Sequence, residues 1–224
     1  MRLLELTPLL RGPQPGGAII DTRPWNSADA LRSAAAERGH RLTRLEPGPA
    51  AAGTVTDALA GADGVVIAPQ STPQPDTATA GRDLAAALLP LIRAAAPTAH
   101  IVLVSHFLVG HGRNHPNGKP GTWALRDFEH ALRAGASDWT ILRPTWLSQD
   151  PPGSYAARLS QDPLADGLVT SSDIAAVVLT ALESPQTARG LTAAIHNVPA
   201  TQPAADTGGL FAGLLPDAEF AGAR

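Results

Sequence analysis

Two hydrophobic periods run through this 224-residue chain, and their alternation is the first guide to its fold. Gly64-Val65-Val66-Ile67-Ala68 is a continuous β-branched run of the kind buried on both faces of a parallel sheet. Further strand candidates are Ala18-Ile19-Ile20 as the first, Arg41-Leu42-Thr43-Arg44-Leu45, His100 to Ser105, Trp139 to Leu142, a short piece at Gly167-Leu168-Val169, and Thr192 to His196 as the last. Helical patterns fall between them. Ser27 sits as an N-cap before Ala28 to Arg38, which Gly39 closes. The others are Val55 to Leu59, Ala80 to Ala95 with Pro90 as a kink candidate, Thr122 to Ala134, and Ser172 to Glu183. Strands alternating with helices predict an α/β fold with right-handed crossovers and a doubly wound, mainly parallel sheet.

Three segments follow from this pattern. Residues 1 to 17 begin apolar and continue into Arg11-Gly12-Pro13-Gln14-Pro15-Gly16-Gly17, whose glycines and prolines predict a linker, so this stretch reads as an N-terminal extension. Residues 18 to 197 form a single domain, with 145 to 172 as a small substrate-covering region. Residues 198 to 224 form a tail that docks on the domain or on a second subunit. The apolar N-terminal segment and the tail are the candidate contacts of a homodimer.

Composition narrows the function classes. A formal net charge of −3 gives no basic footprint for phosphate backbones, so nucleic acid is not the expected partner. The absence of cysteine removes thiolate chemistry, disulfides and thiolate metal sites. The start of the chain is broken by Glu5 and Pro8, too polar for a signal-peptide core, and no run is long enough to span a bilayer; a cytoplasmic protein is expected. Lys119 is the single lysine and Tyr155 the single tyrosine, so any mechanism needing either residue type must use these.

Several short motifs occur in a characteristic order: Arg38-Gly39-His40, Gly61-Ala62-Asp63 before Val65-Val66-Ile67, Val104-Ser105, Glu129 with Leu132-Arg133, Asp138 to Pro144, and Ser172-Asp173-Ile174-Ala175. Together they resemble the atypical short-chain dehydrogenase/reductase family, in its NAD(P)H-binding, NmrA-like type. The resemblance covers residues 18 to 197 and implies a Rossmann-like three-layer fold. It also implies a Gly-x-x-Gly-x-x-Gly loop after the first strand, where backbone N–H groups meet a pyrophosphate. Counted back from Arg38-Gly39-His40 without a gap, the three glycine positions fall on Thr22, Trp25 and Ala28. A tryptophan in the middle and Pro24 beside it oppose close approach of a diphosphate. The expected cofactor is therefore none, with NADPH as the alternative.

The resemblance further implies a serine or threonine after the fourth strand and a Tyr-x-x-x-Lys pair on the next helix. The corresponding positions hold His106, Gly121 and Leu125. His106 is the leading acid/base candidate, since an imidazole at the carboxyl end of a strand faces the ligand crevice. Asp21, at the end of the first strand candidate, can orient it; the structural alternative is a turn residue. His111 and His115, in the loop from Gly110 to Gly121, complete the acid/base set. The spacing of the three histidines fits no zinc pattern, so no metal is expected.

Substrate contacts are expected from Arg23, Ser105, Tyr155 and three tryptophans, Trp25, Trp123 and Trp146, which would wall a crevice suited to a hydrophobic small molecule. Ordinary packing is the alternative for each. Glu129 matches a position to which the resemblance assigns a structural role. The leading reading is a non-redox enzyme on a reductase-derived scaffold, performing cyclisation, isomerisation or dehydration in specialised metabolism. An NAD(P)H-dependent reductase and a non-catalytic metabolite-binding or regulatory protein remain open beside it.

Overall fold

The computed structural model describes residues 1–7, 27–45, 52–69, 79–112, 115–118, 120–135, 137–199 and 209–222. A seven-stranded sheet runs through its centre in the order β2-β1-β3-β4-β5-β9-β7. Its strands are β1 (Arg2–Leu6), β2 (Arg41–Leu45), β3 (Gly64–Ile67), β4 (His100–Val104), β5 (Trp139–Pro144), β7 (Tyr155–Ser160) and β9 (Leu191–Pro199). All pairings are parallel except β7 with β9. A separate two-stranded sheet pairs β6 (Trp146–Ser148) with β8 (Leu168–Thr170). The helices are α1 (Ser27–Glu37), α2 (Ala52–Leu59), α3 (Ala80–Ala95), α4 (Pro120–Arg133), α5 (Ser171–Glu183), α6 (Pro185–Ala188) and α7 (Asp217–Gly222).

The sheet is buried on both sides because its strands alternate between two cores. Leu3, Val66, Val102, Val104 and Ile195 face α1 and α5, while Leu4, Leu6, Val65, Ile67, Ile101, Leu103 and Ile141 face α2, α3 and α4. This is the three-layer, Rossmann-like α/β architecture the pattern predicts. Gly39, at φ 71°, ends α1 in a left-handed turn that a side chain would resist. Gly81 lets α3 and α4 touch: a Cβ there would stand 1.8 Å from the Ala124 carbonyl oxygen. Among the described residues, no helix is long and apolar enough to cross a membrane.

One placement differs from the expectation and alters everything built on it. The strand between β2 and β3 is Arg2–Leu6, so the first residues of the chain are an interior strand of the sheet and do not form an extension, whereas the expected first strand, Ala18 to Ile20, lies outside the described residues. Thr7 continues the strand, its amide bonded to the Leu45 carbonyl at 3.0 Å. Glu5 hides this strand in the sequence, because a carboxylate is not expected on a fully buried strand; it is accommodated with Arg44, whose Nε lies 3.8 Å from Glu5 Oε2. Four further elements had no sequence expectation: β6, the antiparallel β7, the short helix α6 and the tail helix α7. The described part of the tail docks on its own domain: Phe211 enters the α1/α5 core, and Asp217 accepts from the Thr192 amide at 2.8 Å.

Candidate active site

The strand order reverses between β1 and β3, since the chain passes from β1 to β2 on one side and returns through α2 to β3 on the other. In open α/β sheets ligands bind at such a point, outside the carboxyl ends of the strands. β1, β3, β4 and β5 end there at Leu6, Ile67, Val104 and Pro144.

His106 leaves β4 in extended conformation, at φ −148° and ψ 139°, and caps a 3₁₀ turn over Phe107–Val109. Its Nδ1 accepts the Leu108 amide at 3.2 Å, which leaves the proton of the neutral ring on Nε2. Burial lowers its pKa to about 4, so at neutral pH the ring is an uncharged hydrogen-bond donor. It stacks on Phe107 at 5.0 Å and meets Trp146 edge-on at 6.1 Å.

Phe107 is the centre of this aromatic group. It is buried, touches Trp146 at 4.9 Å and His111 at 5.3 Å, and His111 in turn touches His115 at 5.0 Å. The structure therefore gathers four of the expected residues, His106, His111, His115 and Trp146, around a phenylalanine that no sequence motif singles out. His111 Nε2 lies 3.4 Å from the Ala165 carbonyl, and His115 Nδ1 accepts the Asn117 amide at 3.1 Å. The rings pack on one another and bond to backbone; among the described residues no group of three His, Asp or Glu side chains could hold a metal.

Ser105 is corrected from a substrate contact to a core residue. It is fully buried and donates to Glu129 Oε1 at 2.6 Å. Glu129 also receives Arg143 through Nε at 3.0 Å and Nη2 at 2.6 Å, and Arg133 Nη1 at 3.1 Å. Burial alone would raise the Glu129 pKa; the charge and bonds of Arg143, the charge of Arg133 and the Ser105 bond overcome it and hold the carboxyl below its usual range. This cluster ties the end of β4 to α4 and β5, and it fixes the backbone from which His106 projects. Its signal in the sequence was Arg143 beside Pro144 together with Glu129, residues that only the fold brings within bonding distance.

The other expected contacts are dispersed. Trp123 is half-buried on α4, packed against Gly118, where a Cβ would lie 3.2 Å from its ring. Tyr155 is exposed at the start of β7, opposite Pro199, and borders a separate cavity of about 720 Å³ with Asp173, Val177, Leu210 and Leu214. Asp21, Thr22, Arg23 and Trp25 lie outside the described residues, and Ala28 is in the first turn of α1. The premise for Asp21, Thr22 and Trp25 is nonetheless corrected. The first strand ends at Leu6, so the segment that follows it is Pro8 to Asn26, and this segment contains Gly12, Gly16 and Gly17. Counting back without a gap missed them because the connection between β1 and α1 is long.

A second buried histidine makes a separate prediction. His100 Nε2 is 2.8 Å from Thr140 Oγ1, whose own proton goes to the Ala188 carbonyl at 2.6 Å, so His100 is the donor and is neutral. Its buried Nδ1 has no hydrogen-bond partner among the described residues, and desolvation lowers its pKa to about 4, against an opposing Asp138 and an assisting Arg189. A folded-state pKa below the unfolded value means that stability is complete above 6.5 and declines as pH falls toward 4. Each such histidine should remove about 2 kcal/mol between pH 7.5 and 5. Urea denaturation at the two pH values should show a smaller difference for His100→Leu than for the parent; equal differences would refute the assignment.

Comparison with known proteins decides the family. A profile described as NAD(P)H-binding matches residues 27–185, from the start of α1 to the start of α6. The chain belongs to the NAD(P)H-binding family. Solved structures repeat the fold. An oxidoreductase from Lactococcus lactis is 10% identical, with a TM-score of 0.64 and coverage of 89% of this chain and 92% of that one. A short-chain dehydrogenase/reductase from Veillonella parvula, in complex with NADP, is 14% identical with a TM-score of 0.59, covering 87% and 94%. A short-chain dehydrogenase/reductase superfamily protein from Agrobacterium tumefaciens with bound NAD is 14% identical with a TM-score of 0.57, covering 89% and 79%. No curated protein gives a significant match to the sequence. Membership of this family overturns the expectation of no cofactor, whose argument rested on a misplaced first strand.

Proposed function

We propose that this protein is an NAD(P)H-dependent reductase of a small, hydrophobic carbonyl compound. The observation that carries the reading is His106: a neutral Nε2–H donor at the carboxyl end of β4, walled by Phe107 and Trp146. The cofactor-free proton chemistry favoured by the sequence needed a phosphate loop lacking glycines immediately after the first strand, and the segment after β1 contains three.

The chemistry of the residues near the switch point fits a dinucleotide. Arg44, one residue from the end of β2, has its Nε 3.8 Å from Glu5 Oε2 and keeps a buried Nη2 without a hydrogen-bond acceptor among the described residues, a donor suited to an anionic phosphate group. When bound, the nicotinamide supplies a hydride. The chain's own part is to hold and polarise the acceptor. Trp146, 37% exposed and backed by the buried Phe107, offers an apolar wall to a hydrophobic substrate and excludes water from one side of it. The His106 Nε2–H is available to the carbonyl oxygen as negative charge develops there, and a neutral donor fixed in advance needs no reorganisation at that moment. The Ser105–Glu129–Arg143 cluster keeps the end of β4 in place.

Titrating the protein with NADPH and with NADH, followed by quenching of tryptophan fluorescence, tests the reading directly. Saturable micromolar binding of at least one is expected, and weaker binding of it by Arg44→Ala. Failure of both nucleotides to bind at millimolar concentration would refute the reductase assignment.

A further inference from the structure

A second cavity, of about 300 Å³, lies on the α4 side of β9, away from the β1/β3 switch point. Its walls include Phe107, Arg143, Ser160, Asp162, Thr192 and Ala194. We propose that it binds a small monocarboxylate that also carries a hydrogen-bond donor, such as an α-hydroxy acid.

The charges around the cavity are almost all committed. Arg133 uses Nε on Asp217, Nη1 on Glu129 and Nη2 on Thr192, and Thr192 donates its own proton to Asp217. Arg143 is different. Its Nε and Nη2 bind Glu129 side by side, which holds the guanidinium in one orientation, and Nη1 makes no hydrogen bond among the described residues. Gly110 keeps a gap beside it, since a Cβ there would stand 3.1 Å from Nη1 and 2.4 Å from the Pro163 carbonyl oxygen. A fixed cation with unused N–H groups in a mostly apolar cavity suits a carboxylate.

Ser160 supplies the second donor. Its Oγ accepts the Asp162 amide at 3.2 Å, and its own proton has no acceptor among the described residues. Asp162 decides what the rest of the ligand must be. One of its oxygens accepts the Leu164 amide at 2.9 Å, and an acidic wall beside a bound carboxylate is tolerable only if the ligand offers a donor to it. A hydroxyl next to the carboxylate meets that need, and a short alkyl group would rest on Phe107 and Ala194. The cavity has room for a ligand of this size. The assignment does not depend on the reductase reading.

Calorimetric titration of the full chain with sodium lactate, with propionate and with sodium chloride at matched ionic strength tests it. Lactate should bind saturably, propionate roughly 3- to 10-fold more weakly for want of the hydroxyl, and chloride not at all. Ala194 shares a strand face with Thr192 and lies beside Arg143 in the β5–β9 ladder, so Ala194→Leu fills the cavity next to the guanidinium while leaving both Arg143 and Glu129 in the chain, and it should weaken lactate binding at least about 10-fold. Ser160→Ala, a change tolerable at a half-buried site, should weaken it about 3- to 10-fold and keeps the test available if the larger residue unfolds the chain. The proposal is overturned by an absence of saturable lactate binding, by equal binding of lactate and propionate, or by full lactate affinity in either variant.

Discussion

Glu129→Ala should lower the stability of the folded protein by about 3–5 kcal/mol, the cost of leaving a buried cation without its partner. The carboxylate is inaccessible to solvent and accepts four hydrogen bonds, from Ser105, from Arg143 twice and from Arg133. Its removal strands Arg143, whose side chain is 15% exposed, and leaves the Ser105 hydroxyl without an acceptor. Arg133 suffers less, because Asp217 and Thr192 still hold it. The lost interaction is one of charge and not of volume alone, which separates it from an ordinary cavity. Glu129→Leu should therefore be about as damaging as Glu129→Ala, and adding Arg143→Met to Glu129→Leu should recover much of the loss. Urea denaturation of the three variants measures this. Additive losses in the double variant would show that the pair is not the source of the effect.

His106→Ala should reduce turnover of a carbonyl substrate about 10²- to 10³-fold, as removal of one positioned donor to a developing oxyanion does. The substrate would be found by following NADPH oxidation across a panel of hydrophobic aldehydes and ketones. Nucleotide affinity should change little, because the His106 ring lies among Phe107 and Trp146, away from Arg44 at the other side of the switch point. His106→Gln keeps an N–H and should restore part of the rate. The ring titrates at about 4, so its ionisation should leave the rate flat between pH 6 and 8. A rate unchanged in His106→Ala would end its role, whereas loss of rate with equal loss of stability would mark it as a packing residue only.

The position of His106, whose role stays a proposal, is legible in the sequence, because it follows a strand whose apolar run ends at Val104. Its state is not. The low pKa, the tautomer and the wall of Phe107 and Trp146 depend on a 3₁₀ turn and on residues about forty positions apart. Ser105 shows the opposite case. Next to His106 in sequence, it points by strand alternation to the other side of the sheet and ends on Glu129.

Local pattern alone determined most of the fold: α3, β3, β4 and β5 lie within two residues of where hydrophobic period and turn residues place them, since such patterns report which face each element must bury. The first strand required the tertiary structure. Arg2–Leu6 is short and carries a charge, and only pairing with β2 and β3, with Arg44 beside Glu5, makes it an interior strand of the sheet. Its position makes Pro8 to Asn26, with Gly12, Gly16 and Gly17, the segment that follows the strand. That position depends on long-range pairing, which no window along a single segment contains.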